Sequence, residues 1–163
     1  MRKNIVTNLA CLLLGIVFLG SCENGYDCSL DNIAYNRIGF YNTNEYGIEE
    51  RYQFPDPLTV ALVVNGRDSI VVNNRHAVES LQLPMNHTSL RDTIILDYGN
   101  DITDTLYVEH ENRPFYISME CGTVMYHKLT GITHTSTFID SAVIVNDQVK
   151  FNYNENIKLY LVD

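Results

Sequence analysis

The first candidates for chemistry in this chain are five histidines: His76, His87, His110, His127 and His134. None stands in an H-E-x-x-H pattern or at another ligand spacing, so no metal and no cofactor is expected. His127 and His134 are read as approaching each other across neighbouring strands, with Glu109 or Glu120 nearby. Histidines on strand faces are more often ordinary surface residues than ligands. Ser and Thr are plentiful, yet no Gly-x-Ser-x-Gly elbow presents a nucleophile, and no glycine-rich phosphate loop is present. A carboxylate pair for glycoside hydrolysis stays open, because sequence does not give the separation of two acids. No catalytic residue is assigned, and the balance leans against an enzyme. Trp is absent, which weighs modestly against a sugar-stacking platform, although the 11 tyrosines also stack.

The other reactive side chains are cysteines, and their positions lead to the amino end. Arg2 and Lys3 are followed by an apolar run over 9–19, then Gly20, Ser21 and Cys22. A short basic region, an apolar core and small residues before a cut describe a secretory signal. The run falls short of the ~20 apolar residues that a membrane-spanning helix needs. Leu19-Gly20-Ser21-Cys22 resembles the lipobox of bacterial lipoproteins. That resemblance implies removal of a signal peptide over 1–21 and lipidation of Cys22. A single acyl chain holds a protein only marginally, so the two or more that the resemblance implies are what a stable anchor requires.

Removal of 1–21 would take Cys11, Arg2 and Lys3 but no acid, making a chain of net charge −9 more acidic still. Phosphate backbones repel such a surface, so nucleic acid is not an expected partner. With Cys22 lipidated, Cys28 and Cys121 are left. A disulfide is the first expectation for such a pair in an oxidising compartment, and two buried thiols are the alternative. The remainder, 22–163, is the size of one ordinary domain. We divide it into a short lipidated tether over 22–34 and a single domain over 35–163.

The elements that must position these residues read as strands. Asn65-Gly66 between apolar runs at 59–64 and 67–72 is a strong hairpin signal, because both turn residues must accept positive φ. Further strands are predicted over 92–98, 104–110, 114–120, 122–129, 133–139, 142–145 and 156–162. Pro55 and Pro57 mark a loop, and 81–84 a short edge strand or turn. No segment carries a helical period. The fold class is all-β: an antiparallel β-sandwich, Ig-like or similar, with about seven to nine strands.

One tripeptide recurs: Asp68-Ser69-Ile70, Asp92-Thr93-Ile94, Asp104-Thr105-Leu106 and Asp140-Ser141-Ala142. It resembles the O-glycosylation signal of extracytoplasmic Bacteroidetes proteins, in which Ser69, Thr93, Thr105 and Ser141 would carry sugar. Asp at a turn followed by a hydroxyl residue opening an apolar strand is also ordinary β-sheet grammar. Several longer segments, including Asp27-Cys28, Ile38-Gly39-Phe40-Tyr41, Leu81-Gln82-Leu83-Pro84, Tyr98-Gly99-Asn100, Cys121-Gly122 and Asn156-Ile157-Lys158-Leu159-Tyr160, are similar to a Bacteroidales family of small lipoproteins of unknown function. That similarity implies an all-β envelope lipoprotein, makes a Cys28–Cys121 bond plausible, and implies no activity.

Two functional classes remain. The first is a non-catalytic binding or accessory module of the cell envelope, held to the membrane by its lipid and contacting another envelope protein or a glycan. The second is an envelope hydrolase using Asp and Glu in a loop-lined cleft. Glu23 and Asp27, the acids after Cys22, are not adjacent and match poorly the acidic stretch associated with surface export in this bacterial group. The expected location is therefore the outer membrane, facing the periplasm.

Overall fold

The computed structural model describes residues 33–119 and 121–162. The expected signal segment over 1–21, Cys22, Cys28 and Glu120 lie outside the described residues. The described chain is all-β, with 11 strands in two packed sheets that do not close into a barrel. The small sheet holds β1 (Tyr35–Thr43), β2 (Glu49–Arg51), β5 (Ser80–Pro84), β9 (Ile139–Ile144) and β11 (Ile157–Leu161). The large sheet runs β10 (Gln148–Val149), β8 (Gly122–His134), β7 (Thr103–Ser118), β6 (Arg91–Asp97), β3 (Leu58–Val64) and β4 (Arg67–Arg75).

Period-two alternation explains the layering, because successive side chains on a strand point to opposite faces. On β6 and β7, Ile94, Leu96, Leu106 and Val108 point inwards. They meet Ile38, Phe40, Ile157 and Leu159 of the small sheet, and all of these are essentially buried. The Asn65-Gly66 hairpin forms as expected, with φ of 52° and 73° at its two turn residues and Val64 paired to Arg67.

Three features depart from the expected layout. First, 104–110 and 114–120 belong to one strand, β7, while 122–134 runs unbroken as β8. Pro114 is tolerated inside β7 because pairing with β6 ends at Glu109, leaving that edge of β7 without a ladder partner strand among the described residues. A register shift between Glu109 and His110 absorbs the bend. Opposite it, a Cβ at Gly131 would lie 2.9 Å from Glu109 Oε2, so the end of the Glu109 side chain packs over this glycine. Second, the first and last long strands, β1 and β11, pair in parallel, Ile38 opposite Ile157, so the small sheet is mixed. Third, short strands β2, β5 and β10 bring the total among the described residues above the seven to nine expected; the 81–84 segment is β5, which pairs with β1.

Candidate functional site

A concavity with polar and aromatic lining forms where β1 meets β5. Alternation on β1 sends Asn36 and Ile38 inwards and leaves Ile33, Tyr35 and Arg37 on the outer face. Arg37 pairs in register with Gln82 of β5. These side chains make a floor, and residues 150–153 rise beside it as a wall. The space between is about 370 Å³, lined by Ile33, Tyr35, Arg37, Gln82, Lys150, Phe151, Asn152 and Tyr153.

A single asparagine ties β1 to the segment that leads into the wall. The Asn156 backbone N–H donates to Arg37 O at 2.8 Å, and its Oδ1 accepts from Arg37 N at 3.1 Å. Its Nδ2 donates to the carbonyls of Asn146 and Gln148, each at 3.1 Å. Asn156 is 1% exposed, so these bonds satisfy a buried amide that would otherwise be costly. Arg37 ties floor to wall a second time. Its Nε donates to Asn152 O at 2.9 Å, and its guanidinium carbon lies 4.9 Å from the Tyr153 ring centroid.

The electrostatics of this cavity run against those of the chain. The protein carries net charge −9, yet among the described residues no Asp or Glu lines the space and two cations do. Arg51, Arg113, Lys128 and Lys158 each have a carboxylate partner. Among the described residues, Arg37 and Lys150, like Arg67, Arg75 and Arg91, have no carboxylate within ion-pair distance.

A second polar constellation is buried between the sheets, at the end where β6 stops. On β7 the inward series Leu106, Val108 continues with His110 and then Asn112. Asn112 sits opposite His127 of β8. His110 and His127 are 2% and 1% exposed, with ring centroids 5.2 Å apart; His87 lies 5.4 Å from His127. Asn112 organises the group. Its Nδ2 donates to the carbonyls of His87 and Ser89, both at 2.9 Å. Its Oδ1 must therefore accept from His127 Nδ1 at 2.7 Å, which leaves His127 Nε2 as a buried bare nitrogen without a partner. His110 Nε2 is 3.4 Å from Asp92 Oδ2 but lacks hydrogen-bond alignment. Burial, reinforced by His110 and His87, pushes the His127 imidazole down to about 4, with Asp92 opposing. No three His, Cys, Asp or Glu side chains among the described residues converge to hold a metal ion.

With this geometry in place, one family comparison is decisive. Residues 57–161, well over half of the chain, match the model described as "Family of unknown function (DUF6452)". The chain belongs to the DUF6452 family. The DUF6452 match takes in every strand from β3 to β11, all three clustered histidines, Gln82 and the 150–153 wall. The floor residues on β1 precede it. No curated protein and no solved structure matches the chain.

The sequence-predicted positions are scattered over both sheets. Ser69 is exposed on edge strand β4, whereas Thr93 and Thr105 are half-buried on the central strands β6 and β7. Ser141 is half-buried on β9, opposite Tyr160. Structure does not bring the four together, since Ser141 sits in the other sheet. Cys121 is half-buried and its N–H donates to Ser118 Oγ at 3.1 Å; Cys22 and Cys28 lie outside the described residues. The expected meeting of His127 with His134 across neighbouring strands is corrected. Both lie on β8, and His127 meets His110 and His87 instead. The alternation Leu106, Val108, His110 was the signal that places His110 inside. No local signal marked Arg37, Lys150 or Asn156 as a unit.

Asp104, first residue of one of the four tripeptides, is 1% exposed and fully engaged. Its oxygens accept from Thr135 Oγ1 at 2.6 Å and from the backbone N–H groups of Thr137, Phe138 and Ile139 at 2.8, 2.6 and 3.0 Å. Burial pushes this carboxyl up, but the four bonds outweigh burial and hold it below the usual range. Here the tripeptide has a structural role.

Proposed function

We propose that this protein is a lipid-anchored, non-catalytic binding module of a Bacteroidales cell envelope, lying on the outer membrane and facing the periplasm. A signal over 1–21 directs it there, and Cys22 carries the lipid. The observation that carries the binding reading is the Arg37–Lys150–Tyr153 cavity, an acid-free concavity on an acidic chain, lined at one end by Ile33. Ile33 is the first described residue and belongs to the 22–34 tether, so the cavity opens close to where the anchored segment joins the domain.

The disposition of the carboxylates favours this reading over a hydrolase. Glu49 is held low by hydrogen bonds from Lys158 and Tyr160. Glu111 is held low by Arg113, and Asp104 by its four hydrogen bonds. A general acid needs the opposite displacement. Glu155 is tied to Tyr41 and Arg51 at 2.8 and 3.0 Å.

A Cys28–Cys121 disulfide fits the same picture. Ile33 bridges Met125 in a parallel sense. Ile33, the first described residue, thus lies beside the strand that begins next to Cys121. Such a bond would keep the lipid close to the domain and favour ligands already at the membrane. Of the O-glycosylation candidates, Ser69 is the accessible one.

Chemical crosslinking of intact cells, followed by affinity recovery, tests the binding role. The expected product is a reproducible adduct of defined mass between this protein and an envelope protein or glycan. Recovery of uncrosslinked monomer alone, under conditions that crosslink other envelope complexes, would count against it.

A further inference from the structure

We infer that the cavity between β1, β5 and residues 150–153 binds an acidic sugar, a polyol ring bearing a carboxylate or phosphate. This rests on the proposed binding role and names its ligand class. Three kinds of group converge there, and each matches one part of such a ligand. Tyr35 and Tyr153 offer ring faces to sugar C–H groups. Gln82 and Asn152 offer amides to hydroxyls, and Arg37 and Lys150 offer charge to the acid.

The charge balance selects an anion. The field of a chain at −9 repels anions at a distance, so cations gathered in an acid-free cavity act locally. One of the five guanidinium N–H donors of Arg37 is used on Asn152 O, and no hydrogen bond among the described residues uses the others. Tyr153 is 91% exposed and is steadied by the Arg37 guanidinium rather than by the core. An aromatic ring kept in water on a braced loop gains most when a ligand covers it. With one ring face turned to Arg37, Tyr153 can stack on one side only, which suits a sugar better than a base held between two rings. The volume, about 370 Å³, is at the small end of ligand cavities, right for one or two sugar units.

An acidic sugar could reach the cavity from a free oligosaccharide or from a glycolipid headgroup, and the chemistry is shared. The test titrates the detergent-solubilised full chain with glucuronic acid, glucose 6-phosphate, glucose and a nucleoside monophosphate, read by chemical shifts of Gln82 and Tyr153. Vesicles with and without a glucuronosyl glycolipid distinguish the two sources. Both acidic sugars are expected to bind at least about tenfold tighter than glucose. Lys150→Ala and Tyr153→Ala should each weaken them about tenfold, the loss of one charged or stacking contact, with melting temperature unchanged because both side chains are exposed. Glucose binding as tightly as glucuronic acid, tighter binding of the nucleotide, or indifference to Lys150→Ala would overturn the proposal. If no probe shifts the cavity while crosslinked adducts persist, the ligand class fails and the binding role stands. If adducts are also absent, both fail.

Discussion

Asp104→Ala should cost the fold about 4 kcal/mol and lower the melting temperature by roughly 15 °C for a domain of this size. The side chain is buried and accepts four hydrogen bonds, three of them from consecutive backbone N–H groups at 137–139. Alanine would leave those donors without their acceptor, that of Ile139 in a buried position, and each orphaned buried group costs about 1–3 kcal/mol. The remaining bond, from Thr135 Oγ1, is part of a knot in which the same hydroxyl accepts from Thr105 N at 2.8 Å. Asp104→Asn keeps one acceptor oxygen and should lose about half as much. The carboxyl is held low in the folded state. Its contribution is therefore present above the ordinary carboxyl range and lost as pH falls through the folded value. Circular-dichroism melts of the two variants check the ranking, and amide exchange at Phe138 and Ile139 reports the opened loop. An alanine variant as stable as the native protein would remove Asp104 from its structural role.

The second large effect is acid sensitivity centred on His127. The imidazole is buried as the neutral form and pushed down to about 4 from its ordinary 6.5. Between those values the unfolded chain binds a proton that the folded chain refuses. Stability is therefore full above about pH 6.5 and declines as pH falls to about 4, by up to about 3 kcal/mol. The ionisable groups around the ring are His110 on β7, His87 in the loop before β6, and Asp92 on β6, and Asp92 alone opposes the shift. His127→Gln, which can still donate to Asn112 Oδ1, should flatten the slope of stability against pH in that window. Denaturant titrations at several pH values from 7 to 4 measure it, and an unchanged slope in the variant would assign the acid sensitivity elsewhere.

These two sites differ in how much of them the sequence discloses. The Asn65-Gly66 turn and the alternating apolar runs disclose an all-β sandwich, because both signals are local. Pro114 reads as a break between strands, since proline removes a ladder donor. Only the ending of β6 pairing at Glu109 shows that no strand of the described residues pairs with that edge. The parallel pairing of β1 with β11 has no local signature, and neither does the contact between Arg37 and Asn156, 119 residues apart. His110 continues the inward alternation of Leu106 and Val108 and was legible as a buried residue. Its meeting with His127 depended on the register shift beside Glu109. Asp104 looked like one of four equivalent tripeptides, and only the fold of 135–139 around it separates it from Asp68.

The lipid anchor is the claim on which the envelope role rests, and metabolic labelling tests it most directly. Cells expressing the full chain or Cys22→Ser are fed an alkyne-tagged fatty acid, fractionated, and probed for tag and protein. The native chain should carry the tag and pellet with membranes, while Cys22→Ser should carry none and leave the lipidated membrane pool. An untagged native chain, or a Cys22→Ser protein tagged to the same extent, would contradict lipidation at Cys22.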